Sequence, residues 1–411
     1  MPAVGRRFGR LRPLLKPLPG PTGMEKQAPI PHSPLSMTSS GDPTRTMAMD
    51  GNVVSDQCAE LFDHYTSIIH KQKLSWTTHL RLRRMLGAGG QGVVFLTERR
   101  GSDGFTLPVA LKIFSPERYA SPEAYAADMN MVGHVATKVA RIQHDNLLLV
   151  QDFREREHIR MMVMEWVEGY DLRQLLTPRM LVRFRERVSI RRWEQLNEVL
   201  VTQGELQPRF KPGVAMAIVR ACLQAISALH RAGIVHGDIK PANIMLKRSG
   251  HAKIIDIGSA FDIESPPNRR ACTPAYAAPE VLEGNGHSPL SDLASLGYVL
   301  IELLAGQPLF SGATELSELI RLKQNLDSRL DSLLPGEVVC NDLLMAFCRS
   351  LIAWDPADRF PSADDAQLVD HGAAAFHRQL VKGDMASEYE NDLRIWVEEL
   401  LEFDENQTLE L

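Results

Sequence analysis

Ile234-Val-His-Gly-Asp-Ile-Lys-Pro-Ala-Asn-Ile-Met-Leu246 is the stretch on which the reading of this chain turns. It sets a carboxylate, Asp238, two residues before a cation, Lys240, and five before an amide, Asn243. Phosphoryl transfer needs that trio: a carboxylate to accept a hydroxyl proton, a cation to offset phosphate charge, and an amide oxygen for a metal. Pro241 fixes one backbone φ and removes one N–H, so the segment is a loop and not a helix interior. Just upstream, Val214, Ala217, Ile218, Ala221, Cys222, Ala225, Ile226 and Leu229 recur at helical spacing. They predict a buried helix stopped by Gly233, with Cys222 as a core residue and not a reactive one.

The loop resembles the catalytic loop of eukaryotic-like (Hanks-type) Ser/Thr protein kinases, H-R-D-L-x-x-x-N, with Gly237 at the arginine position, which makes it a non-RD variant. The resemblance continues downstream. Asp256-Ile-Gly258 is similar to D-F-G, Cys272-Thr-Pro-Ala-Tyr276 to G-T-P-x-Y, and Ala278-Pro-Glu280 to A-P-E. Ser291-Asp-Leu-Ala-Ser-Leu-Gly297 resembles D-x-x-S-L-G, and Asp355-Pro-Ala-Asp-Arg-Phe360 carries a late arginine. The family resemblance implies Asp238 as the base and Lys240, Lys112 and Thr273 as its catalytic companions. It implies Asn243 and Asp256 as ligands of Mg²⁺ (or Mn²⁺), which oxygen donors and phosphates suit. Asp292 is expected to brace the catalytic loop, and Arg359 to pair with Glu280 as a buried structural ion pair.

Upstream, Leu86-Gly-Ala-Gly-Gly-Gln-Gly-Val-Val94 contains G-x-G-x-x-G at Gly87, Gly89 and Gly92. Glycines let backbone N–H groups approach phosphate with no Cβ in the way. Alone, the motif would equally fit a Rossmann dinucleotide turn. The chain, however, continues in strand alternation, turns at Gly101–Gly104 and returns as Val109-Ala-Leu-Lys-Ile-Phe114. A lysine inside an apolar strand is costly unless it meets an anion. The strand resembles the V-A-I-K strand of kinases, which implies that Lys112 reaches the ATP phosphates. Residues Leu86, Gly87, Ala88, Gly89, Gly90, Gln91, Gly92, Val93, Val94 and Ala110 would enclose the nucleotide. Met164-Glu-Trp-Val-Glu-Gly169 resembles a hinge, with backbone groups of Glu165 and Val167 for adenine, Met164 as gatekeeper, Asp171 near ribose and Met245 beneath the base. The helix expected over 121–143 departs from the family. Counting back from His144-Asp-Asn-Leu-Leu148, its lysine-pairing glutamate falls near Val135. Either Asp128 takes that role from a shifted register, or Lys112 works without a helix ion pair.

The motif order predicts an α+β, bilobal kinase-like domain over 80–372, with a β-rich N-lobe (80–166) and a mainly helical C-lobe (167–372). Residues 1–55, rich in Pro, Ser and Arg, read as disordered, and 56–79 as a helical lead-in. An insertion at 177–212 carries Arg179, Arg183, Arg185, Arg187, Arg191 and Arg192. It reads as a solvated helical excursion, or as a basic patch for an acidic partner. The acidic tail 373–411 is expected to be partly helical, with Leu393, Trp396, Val397, Leu400 and Leu401 on one face, docked on the domain. A net charge of −5 gives no general case for nucleic acid. The five scattered cysteines suit a reducing, cytoplasmic setting. No uninterrupted apolar run suggests a membrane span, and prolines interrupt the N-terminal stretch that a secretory signal would need. The functional expectation is an ATP-dependent Ser/Thr protein kinase acting on protein substrates. A nucleotide-binding pseudokinase or scaffold is the alternative that the missing glutamate suggests. A small-molecule phosphotransferase shares the His-Gly-Asp sequence but lacks the Ala-Pro-Glu platform.

Overall fold

The computed structural model describes residues 58–71, 80–266, 271–368, 372–382 and 388–409, together with Met47–Ala48, Lys73–Leu74 and Asp370. Apart from Met47–Ala48, the expected disordered segment 1–55 lies outside the described residues.

Strands β1 (Lys73–Leu74), β2 (Leu80–Gly89), β3 (Gly92–Arg100), β4 (Thr106–Phe114), β5 (Val150–Arg156) and β6 (Ile159–Glu165) form one antiparallel sheet in the order β1-β2-β3-β4-β6-β5. Their Val, Ile and Leu content favours a pleated, half-buried surface. Asp103 and Gly104 both take positive φ (56° and 79°) at the β3–β4 turn, a conformation suited to tight hairpins. Register sets the face that matters. Val94 stands opposite Lys112, and Ala110 opposite Met164. Cross-strand partners share a face, as do residues two apart on one strand. Lys112, Ala110, Val94 and Met164 therefore line the same side of the sheet.

Helix α1 (Ala59–Lys71) buries Leu61, Tyr65 and Ile68 at helical spacing. Helix α2 (Pro122–Val139) starts on Ser121, whose Oγ accepts the Ala124 N–H, with Pro122 at the first turn. Both are favoured N-terminal signals. Its buried face is Tyr125, Met129, Val132, Val135, Ala136 and Val139.

In the helical part, helix α3 spans Pro178–Arg185, α4 Ile190–Val199, α5 Pro212–Arg231 and α6 Pro289–Ala305. α5 has the length and apolarity of a membrane span, but Val214, Ile218, Cys222, Ile226 and Leu229 are buried against the rest of the domain. α6 is buried from Ser291 to Ala305, opened by a Ser288 capping box and closed by Gly306 at φ 69°.

The insertion is not a solvated excursion. Leu181, Phe184, Leu196, Leu200, Val201 and Phe210 are all core residues. The chain itself supplies an acidic surface for the arginines, helix α8 (Glu388–Leu409), α7 being Leu316–Gln324. Arg192 holds Glu399 through Nε (3.0 Å) and Nη2 (2.9 Å). Arg183 pairs with Asp404, and Arg187 donates to the Phe403 carbonyl at 3.1 Å. On the same helix Trp396 is fully buried, edge-on to Phe210 at 6.1 Å. Tyr170 donates to the Leu400 carbonyl (2.9 Å) from the strand that follows the interlobe connection.

A large aromatic filling a shared core should be costly to remove. Trp396→Ala is expected to destabilise the domain by about 3–5 kcal/mol, measured by urea unfolding. A loss below about 1 kcal/mol would mean that α8 is not part of the cooperative core.

Candidate active site

The opening loop is held by one carboxylate. Asp292, near the start of α6, accepts the His236 N–H at 2.8 Å (Oδ2) and the Gly237 N–H at 2.9 Å (Oδ1). His230, on α5, reaches the same carboxylate at 2.9 Å. Burial alone would push the Asp292 carboxyl up, but these donors, His230 foremost, hold it below its usual range. Gly237 has φ +75°. That left-handed value carries no penalty for glycine alone, and a Cβ there would lie 3.1 Å from the Ser259 carbonyl.

Past this anchor the loop turns inward. Asp238 Oδ2 accepts from Lys240 Nζ at 2.7 Å, and Oδ1 accepts from Thr273 Oγ1 at 2.6 Å. Lys240 Nζ also donates to Thr273 Oγ1 at 2.8 Å. Pro241–Asn243 forms a single 3₁₀ turn, so Asn243 swings back and its Nδ2 donates to the Asp238 carbonyl at 2.8 Å. With its nitrogen committed, the amide's metal donor is its oxygen. Asp238, Lys240, Thr273 and Asn243 are thus brought together.

Lys112 is 4% exposed. Its Nζ donates to both oxygens of Asp256 (2.8 and 2.9 Å) and to Gln91 Oε1 (2.7 Å). Burial would raise the Asp256 carboxyl, but the Lys112 charge and hydrogen bond keep it low, hence ionised. Asp128 is not the lysine's partner: it meets Arg118 (3.3 Å) and the Tyr119 hydroxyl. Of the two readings of the missing glutamate, the geometry has Lys112 without a helix ion pair. Among the described residues no cluster of three or more His, Cys, Asp and Glu could hold a metal. One carboxylate and one amide oxygen instead suit a divalent ion that keeps waters and shares substrate phosphates.

The remaining cleft residues follow from register. Gly87, Ala88 and Gly89 pair with Val94, Val93 and Gly92 as a hairpin ending in the glycine loop. Leu86 sits at a register shift and is partly exposed. Met245 pairs with Asp171 across the strands Ile244–Lys247 and Gly169–Asp171. Asp171 Oδ1 caps the next helical turn through Gln174 N (2.9 Å). The Glu165 side chain accepts from Leu149 N (2.7 Å) and Lys253 Nζ (2.5 Å), tying the connection to the strands beneath it.

The segment after Thr273 is braced from below. Arg359 clasps Glu280 in a bidentate pair (2.7 and 2.8 Å). Tyr276 donates to Glu302 (2.7 Å), which also accepts from Gln207 of the insertion (3.1 Å). Lys323, on α7, lies 3.8 Å over the Tyr298 ring and donates to the Ala275 carbonyl at 2.7 Å. Sequence reading missed Lys323 and Glu302, and placed Gln91 at the nucleotide without foreseeing its bond to Lys112. Lys323 left a faint trace, a lysine on a helix whose neighbours Leu319 and Ile320 are apolar.

Adding a Cβ at a left-handed position typically costs about 1–2 kcal/mol. Gly237→Ala is expected to lower stability by about that much in thermal or urea unfolding. Stability equal to wild type would show that φ at 237 is not constrained.

A protein kinase domain model matches residues 80–371. Among curated relatives, serine/threonine-protein kinase PknL of Mycobacterium tuberculosis is 31% identical over 287 residues, 68% of this chain and 61% of that protein. Serine/threonine-protein kinase PkaA of Streptomyces coelicolor is 29% identical over 303 residues, 69% of this chain and 48% of the relative. Serine/threonine-protein kinase PrkC of Bacillus subtilis is 28% identical over 295 residues, 70% and 39% respectively. The matched part of the chain therefore spans less than two thirds of the length of each of these relatives.

Proposed function

This chain belongs to the protein kinase family, and we propose that it is a serine/threonine kinase, transferring the γ-phosphoryl group of ATP to Ser or Thr hydroxyls of proteins. The observation that carries this reading is the Asp238–Lys240–Thr273 cluster, closed by hydrogen bonds of 2.6 to 2.8 Å. Asp238 orients the substrate hydroxyl and takes its proton. The hydroxyl oxygen bonds to the γ-phosphorus as the bond to the β–γ bridging oxygen breaks, and ADP leaves. Lys240, next to Asp238, offsets charge on the transferring group, while Lys112 holds the α- and β-phosphates. A divalent ion held by Asp256 and Asn243 would neutralise phosphate charge. Positioning and electrostatics supply the acceleration, with no covalent intermediate on the enzyme.

Around the nucleotide, the glycine loop from Leu86 to Gly92 covers the phosphates, Val94 and Ala110 cover the adenine face, and Met245 lies beneath. The backbone of Glu165 and Val167 faces the adenine edge, and Asp171 the ribose. Protein substrates are favoured over small molecules because the 273–280 segment is braced as a platform by Glu280–Arg359, Tyr276–Glu302 and Lys323–Ala275. The domain takes in 80–372, with the α8 helix packed on its insertion. A cytoplasmic setting fits five cysteines that form no disulfide.

Asp238→Asn is expected to keep ATP binding while lowering phosphorylation of a generic protein substrate by roughly 10²–10⁴-fold, the range for loss of a positioned base. Unchanged turnover would remove Asp238 from the base role. Regulation follows from Gly237: where an arginine would receive an activation-segment phosphate there is no side chain, and a Cβ would crowd the Ser259 carbonyl. Phosphatase-treated protein, verified as phosphate-free by mass spectrometry, should keep its initial rate. A requirement for phosphate between Ile257 and Tyr276 would overturn this part.

A further inference from the structure

Lys112 must be aimed if it is to grip phosphate, and α2 offers it no acid. Its two observed acceptors differ in kind. Asp256 is the carboxylate assigned to the metal, so a bound cation and the Lys112 ammonium would compete for its charge. Gln91 is neutral and has no such second duty.

The glycine loop holds Gln91 in place from several sides. Its carbonyl accepts the Ser115 N–H at 3.0 Å, pinning the loop tip to the end of β4. Gly92 follows at φ +135°, and a Cβ there would strike the Ile113 carbonyl. The Gln91 side chain turns inward and is only 8% exposed. Its Nε2 donates to Ser259 Oγ at 2.6 Å, which fixes the amide so that Oε1, the acceptor, faces Lys112. Gly258 leaves the space: a Cβ there would collide with both Gln91 Oε1 and Lys112 Nζ.

Resting on the phosphotransfer reading above, we infer that Gln91 is the positioning residue for Lys112, aligning it from the phosphate loop through an amide that Ser259 orients. A neutral acceptor fixes the ammonium without cancelling its charge, so closing the glycine loop and aligning the lysine become one event.

The test compares wild type, Gln91→Ala, Gln91→Glu, Lys112→Met and the Gln91→Ala/Lys112→Met double variant. Initial rates are measured across ATP concentrations, and equilibrium binding with a fluorescent ATP analogue. Gln91→Ala is expected to lower kcat about tenfold to a hundredfold, the effect of losing a hydrogen bond to a charged group. Gln91→Glu, which puts a charged acceptor beside Lys112 and can no longer donate to Ser259, should stay well below wild type. Gln91→Ala should weaken analogue binding when Lys112 is present and add nothing once Lys112 is methionine, since residues acting through one another are not additive. Full kcat in Gln91→Ala, a Gln91→Glu variant as active as wild type, or additive losses of binding would each overturn the inference. A wild type that binds the analogue without transferring phosphate would instead defeat the phosphotransfer reading, and the binding cycle would then decide the role of Gln91.

Discussion

The site depends on a buried carboxylate with two backbone N–H groups pointed at it. Asp292 takes the amides of His236 and Gly237, and the loop beyond them has little choice of path. An unpaired carboxylate in that position would be costly, and so would two unpaired amides. Each satisfies the other, and His230 completes the set from a different helix. The core helices α5 and α6 thereby fix the geometry of the loop, which Ile239 also anchors in the core. Asp238, Lys240 and Thr273 can then approach within hydrogen-bonding distance without the loop having to be rigid in itself.

A similar division of labour appears across the cleft. The sheet fixes Lys112 by register, opposite Val94 and Met162, while its charge is met by groups from outside the sheet, Asp256 and Gln91. The hydrophobic core sets positions and a few polar contacts set orientation. The core sums many non-directional contacts, whereas a single hydrogen bond is directional.

Much of this was legible from residues. The catalytic loop, the lysine strand and the glycine loop are local patterns whose spacing is tied to their chemistry, and the bracing roles of Asp292, Arg359 and Thr273 followed from family resemblance. Three things were not legible. The partner of Lys112 lies 21 residues from it in one direction and 144 in the other, and no local period records such pairings. The insertion's arginines looked like solvent-facing charge because the apolar residues between them, Leu181 and Phe184, match a helix face only when the partner helix is known. That partner, α8, begins at Glu388, far along the chain. Lys323 was hidden for the opposite reason: a cation over two aromatic rings, Tyr298 and Phe310, reads in sequence as ordinary helix surface.

Trp396 carries a consequence for where this domain ends. The family match stops at residue 371, yet the surfaces of Phe210, Tyr170 and Arg192 are finished only by residues beyond it. A chain trimmed to the match would present an open apolar groove bordered by uncompensated arginines. The smallest unit able to close its own core is therefore larger than the matched segment, and the α8 helix belongs inside the domain's boundary.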